Sequence, residues 1–127
     1  MAEKLKERAY EPAEIEERLK RELPHWRYEK EWIRRTYRTA SWKGTLMVIN
    51  AVGHLAEAAW HHPDITASYA WVEVRLTTHT AKGITDKDFE LAKMIENVVH
   101  WQPGKAAGAL EGTPHEDQRF AYIKYDR

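Results

Sequence analysis

Between Tyr69 and Thr78 the chain alternates strictly, with Ala70, Val72, Val74 and Leu76 on one side and Trp71, Glu73, Arg75 and Thr77 on the other. A period of two marks a strand with one covered face and one wet face. It commits the chain to a sheet with apolar material laid over one side, and three segments read as helices able to supply it. Pro12 opens the first, where its missing N–H costs nothing; Ile15, Leu19 and Leu23 recur at four-residue spacing and Pro24 ends it. Ser41 is placed as the N-cap of a long helix to about Trp60, with a stripe of Leu46, Ile49, Val52, Ala56 and Ala59. Gly53, which costs about 1 kcal/mol relative to alanine inside a helix, suggests close packing there. Thr85-Asp86-Lys87-Asp88 has the form of a capping box and opens a third helix to about His100, striped by Phe89, Ala92, Ile95 and Val99.

Two further strands are expected at His25 to Glu29 and Trp32 to Ala40, joined by a tight turn around Lys30. In the second, Ile33, Arg35, Tyr37 and Thr39 share a face. Residues 101 to 112 read as a loop, and Phe120 to Tyr125 as a short last strand. The expected fold is α+β, an antiparallel sheet with helices packed on one face, in the order α-β-β-α-β-α plus a C-terminal tail. The 127 residues suit a single domain: a loose N-terminus over 1–10, a core over 11–100 and an extension over 101–127.

Charged residues make up 31% and cancel to zero, so no global basic field points to nucleic acid or an anionic membrane. The absence of cysteine removes disulfides, thiolate metal sites and cysteine nucleophiles together. No segment approaches the roughly 18 apolar residues of a membrane span, and the N-terminus lacks a signal-peptide core; a cytoplasmic protein is expected. Six tryptophans and six tyrosines exceed what a small core needs and suggest a pocket or subunit contact.

The residues best suited to chemistry are histidines. His61 and His62 are adjacent at the end of the long helix and closed by Pro63; His79 follows the alternating strand. Imidazole exchanges protons near neutral pH without a large pKa shift. Adjacent histidines project about 100° apart on a helix and to opposite sides of a strand, which makes chelation of one ion awkward. Proton transfer suits them better: one ring protonates a leaving hydroxyl while another takes a proton from a neighbouring nitrogen, each step typically contributing about 10²–10⁴-fold. The plainer alternative is that they are hydrogen-bonded cap and loop residues. Glu57, one turn before His61, is placed to orient that ring. Asp88 is explained first by capping Thr85. Tyr69 and Trp71 read first as packing residues, though either could stack on a flat ligand.

Glu57, three residues, His61-His62-Pro63, five residues, Tyr69, nine residues, His79, eight residues and Asp88 together resemble the signature of the pterin-4a-carbinolamine dehydratases. Weaker similarity runs from about Leu19 to Val99. The resemblance implies dehydration of a 4a-hydroxytetrahydropterin to the quinonoid dihydropterin, with no metal or other cofactor. It implies His61, His62 and His79 as the catalytic set, with Glu57 and Asp88 supporting. Substrate contacts would come from His61, His62 and Pro63 and from Thr78, His79, Thr80 and Ala81. Relatives commonly form dimers or tetramers, so a homo-oligomer is expected. Thr80 stands where an acidic residue is common, and Trp60 where a polar or charged one is. Relatives also include a transcription-factor dimerisation cofactor and RuBisCO assembly factors, so a non-catalytic binding protein with a protein partner is the alternative.

Overall fold

The computed structural model describes residues 7–126. Six of the ten residues expected to be loose, 1–6, therefore lie outside the described residues. The elements are α1 (Pro12–Glu22), β1 (Arg27–Glu29), β2 (Trp32–Thr39), α2 (Trp42–Ala59), β3 (Asp64–Ser68), β4 (Trp71–Leu76), α3 (Asp86–Val99) and β5 (Ile123–Lys124). Every strand pairing is antiparallel, in the order β1-β2-β4-β3, and β5 also pairs with β2. The α+β architecture is the expected one, with a strand more than expected before the alternating one: β3, read from sequence as part of a connection.

The alternation resolves as its period demands. Val72, Val74 and Leu76 of β4 and Ile33 and Tyr37 of β2 are buried, while Trp71, Glu73 and Arg75 face outward. Against that inner face lie Ile15 and Leu19 of α1, Val48, Val52 and Ala56 of α2, and Phe89, Ala92, Ile95 and Val99 of α3. Each large side chain so buried contributes about 1.5–3 kcal/mol. The expected stripe of α3 is buried throughout. That of α2 is rotated: Thr45, Val48, Val52 and Ala56 are buried, whereas Leu46 and Ala59 are exposed. Thr45 can take a core position because its hydroxyl bonds Thr39 Oγ1 at 2.8 Å and donates to the Tyr69 carbonyl at 3.0 Å. Gly53 does not mark close packing; a Cβ there would meet open space.

The tail is tied to the sheet. Lys124 and Ile123 pair with Arg38 and Thr39, covering the far end of the β2 edge whose near end β1 occupies. Ile123 is buried, and the Tyr122 carbonyl accepts the Ala40 N–H at 3.1 Å. Gly44 makes this approach feasible, since a Cβ there would collide with the Tyr122 carbonyl oxygen, a backbone atom with little room to move. Gly44→Ala is therefore expected to cost about 1–3 kcal/mol by overpacking and to lift the tail. Hydrogen exchange checks it: the Ala40 amide should lose protection, and unchanged protection would refute the account.

Candidate functional site

α2 ends in a pair of hydrogen bonds that reverse the chain: Trp60 N–H donates to the Glu57 carbonyl at 3.2 Å and His61 N–H to the Ala56 carbonyl at 3.1 Å. Trp60 takes the left-handed conformation (φ 54, ψ 46) that this Schellman termination requires. Pro63 then disfavours helical geometry at His62, and β3 begins at Asp64. The histidines thus stand at the helix-to-strand corner. On the other side, β4 leads through Thr77 and Thr78 into a short 3₁₀ turn, His79–Ala81. A bridge between Thr78 and Gly83 holds that turn, with Thr78 N–H on the Gly83 carbonyl at 2.9 Å.

Asp88 joins the two segments. It is 0% exposed, at the third position of α3, and accepts three hydrogen bonds. Its Oδ2 takes the Thr85 backbone N–H at 2.9 Å and the Thr78 hydroxyl at 2.7 Å; its Oδ1 lies 2.7 Å from His61 Nε2. Proton accounting orders the chain. Thr78 uses its hydrogen on Asp88, so the Thr85 hydroxyl, 2.8 Å away, donates to Thr78 and accepts the Lys87 N–H at 3.2 Å. A carboxylate only accepts, so the His61 ring donates from its Nε2. Asp88 caps the helix, as expected, and also holds the ring that Glu57 was expected to hold.

Glu57 pairs elsewhere. Its Oε1 lies 2.9 Å from His62 Nε2, because the left-handed turn at Trp60 carries His61 off the helical i,i+4 track and toward α3. Both partners are well exposed, so the pair is worth at most about 1 kcal/mol and serves to orient the ring rather than to stabilise the fold. The adjacent imidazoles thus direct their Nε2 atoms at different carboxylates. His79 and Thr80 are exposed, Pro63 and Ala81 half-buried, and Thr78 buried beneath them.

Tyr69 and Trp71, expected first to pack, are instead exposed. Tyr69 lies at the β3–β4 turn and Trp71 at the start of β4 on the outer face, the opposite end of that strand from His79. Trp32 stands edge-to-face with His79 (centroids 5.7 Å) and Trp60 edge-to-face with His62 (5.0 Å). No local pattern in the sequence marks Trp32, 47 positions before His79; Trp60 adjoins the paired histidines, and that adjacency is the signal that could have found it.

Two other places merit comparison. Glu96, His100 and Asp126 come close enough to resemble a metal-binding group, but the Arg35 guanidinium already lies among them. It donates to Glu96 Oε1 at 2.9 Å and Oε2 at 3.1 Å and also to Asp126. The cation this cluster holds is an arginine. A cavity of about 590 Å³ lies within the tail, lined in part by Trp101, Lys105, Leu110, His115, Tyr122 and Tyr125. Volume alone would favour it; the hydrogen-bonded histidine–carboxylate pairs lie elsewhere, and chemistry outweighs volume here.

An α+β sheet with histidines at the α2–β3 corner and after β4 defines a known class. Residues 8–98 match the family described as "Pterin 4 alpha carbinolamine dehydratase", and the chain belongs to that family. An Aquifex aeolicus protein named "Putative pterin-4-alpha-carbinolamine dehydratase" is 48% identical over 87 residues, 66% of this chain and 88% of that one. One of the same name from Thermosynechococcus vestitus is 40% identical over 99 residues, covering 78% and 98%. The crystal structure of a transcriptional coactivator/pterin dehydratase from Brucella melitensis superposes with a TM-score of 0.65 at 26% identity, covering 72% of this chain and 97% of that one. A pterin dehydratase-like protein identified as a RuBisCO assembly factor in the alpha-carboxysome shares the fold (TM-score 0.51, 19% identity, covering 59% and 89%). The family match stops at residue 98, before the tail. Among the described residues no helix is long and apolar enough to cross a membrane.

Proposed function

We propose that this chain dehydrates a 4a-hydroxytetrahydropterin to the quinonoid dihydropterin, with His61, His62 and His79 as the acid–base set and no metal. The observation that carries the proposal is Asp88, whose two oxygens tie His61 of one loop to Thr78, the neighbour of His79, of the other. In the reaction one imidazolium gives its proton to the 4a-hydroxyl as the C4a–O bond breaks and water leaves. Another imidazole takes the proton from the adjacent ring nitrogen, whose electron pair becomes the new C=N bond. Hydroxide is a poor leaving group and the N–H a weak acid, so an acid and a base at fixed positions address both barriers. His61 to Pro63 and Thr78 to Ala81 supply the substrate contacts, and Glu57 holds His62.

The purified protein should accelerate loss of the 4a-hydroxyl of a freshly generated 4a-hydroxytetrahydropterin, followed by ultraviolet absorbance. His79→Ala should remove most of that acceleration, about 10²-fold or more. Wild type at the buffer rate refutes the proposal.

One observation favours a second reading, a binding or assembly role. Met47, Ala51 and Val98 line a shallow groove between α2 and α3, with Leu46 and Met94 also exposed on these helices. Apolar surface of this kind is suited to a protein contact. A homo-oligomer, dimer or tetramer, accounts for it without a foreign partner. Light scattering decides the first point. A stoichiometric partner captured by a protein without turnover would favour the assembly role.

A further inference from the structure

Trp60 occupies the position in the α2 termination that glycine ordinarily fills. A bulky L-residue at φ 54, ψ 46 crowds its own Cβ against the backbone, and glycine or asparagine would relieve that. The indole recovers nothing from the core in exchange, for it is 75% exposed. Its ring contact is an edge-to-face one with His62, at 5.0 Å and 81°. Trp32 makes the matching contact with His79, at 5.7 Å and 79°. Two of the proposed acid–base rings each stand against an indole that is not buried. A residue the fold would do better without, placed against a reacting group, points to a ligand as its reason.

We infer that Trp60 is a specificity-determining residue that stacks on the flat bicyclic ring of the substrate and seats it against His62, with Trp32 the corresponding wall beside His79. The inference rests on the pterin reading above. An indole face suits such a ligand, since a fused heteroaromatic ring offers a π-face and tryptophan, with two side-chain torsions, gives a large contact area at low entropic cost. Trp60 takes no part in proton transfer. Its loss should therefore raise KM far more than it lowers kcat.

The test compares wild type, Trp60→Gly and Trp60→Phe in thermal unfolding, in calorimetric titration with 7,8-dihydrobiopterin, and in turnover. Trp60→Gly should keep its Tm or gain a few degrees, because glycine accepts the left-handed conformation freely. The same variant should bind dihydrobiopterin about tenfold or more weakly, the scale of one lost stacking contact, and show a comparable rise in KM. Trp60→Phe should retain most of the affinity. Opposite signs in stability and affinity are what a purely structural tryptophan would not produce. If wild type binds and Trp60→Gly binds equally well, the inference falls while the dehydratase reading stands. A clear drop in Tm for Trp60→Gly also overturns it, since the indole would then be serving the fold. Wild type that neither binds nor turns over a pterin brings down both.

Discussion

Asp88→Ala is expected to cost about 3–5 kcal/mol of stability and to reduce the proposed dehydratase turnover by about 10²-fold or more. The stability loss follows from what the carboxylate serves: the Thr85 N–H, the Thr78 hydroxyl and the His61 ring all lose their acceptor, at a place with no access to water. Each stranded donor costs about 1–3 kcal/mol, and relaxation of the loop recovers part of the sum. The activity loss follows because His61 is released and the 78–81 segment loses its anchor. Asp88→Asn separates the two roles. Its amide oxygen can take the place of Oδ2 and keep both donors there, so stability should fall by only about 1–2 kcal/mol. Its NH₂ then faces His61, which must turn its lone pair to Nε2 and its proton to Nδ1. Turnover should stay low in a well-folded protein. Denaturant unfolding and steady-state turnover on the same preparations check this; Asp88→Asn with full activity would show that the carboxylate acts as a helix cap alone.

That pair of variants also separates what is local in the sequence from what only the fold creates. The capping box was legible because both members lie within four residues and the motif is local. The bond from Asp88 to His61 spans 27 positions and depends on how α2 terminates. Residues whose role is set by their own face of an element are legible in the sequence: Val72, Val74 and Leu76 on β4, and the whole stripe of α3. β3 is not legible because Asp-Ile-Thr-Ala-Ser is an edge strand with Ile65 as its half-buried apolar residue, so nearly all of the alternation that marks a strand is absent. The buried face of α2 departs from its apolar stripe because a hydrogen-bonded threonine, Thr45, takes a core place while Leu46 does not. Glu57 followed the same logic. Spacing alone pairs it with His61, and a single left-handed residue sends it to His62.

Arg35 carries the other large expectation. It sits on the inner face of β2 with Ile33 and Tyr37 and is 2% exposed, a charge inside the core. Burial works against its charge, but Glu96 and Asp126 more than compensate and raise its pKa above the usual arginine value. Glu96 has the mirror problem. Burial opposes its ionisation, while hydrogen bonds from Arg35, and from Tyr37 at 2.7 Å, hold its carboxyl at about 2. Removing the guanidinium in Arg35→Ala strands two carboxylates, one of them on the tail, and should cost about 3–5 kcal/mol. The tail should loosen with it, since Asp126 is bonded to Arg35. The same network sets the response to acid. A carboxyl whose folded pKa lies below its unfolded value stabilises the fold above the unfolded pKa and loses that contribution as pH falls toward the folded one. For Glu96 the window runs from 4.5 down to about 2. The shift corresponds to about 3 kcal/mol at face value and about 2 after allowing for solvent at its partly exposed side chain. His100, whose pKa burial lowers from 6.5, adds to the loss in the same direction, beginning at higher pH. Stability measured by urea unfolding should therefore begin to decline below about pH 6.5 and steepen below about 4.5. Glu96→Gln should make the steeper part shallower, at the price of a lower plateau at neutral pH. An unaltered acid limb in that variant would place the acid sensitivity in other carboxylates and leave the Arg35 cluster a structural contact without a titrating role.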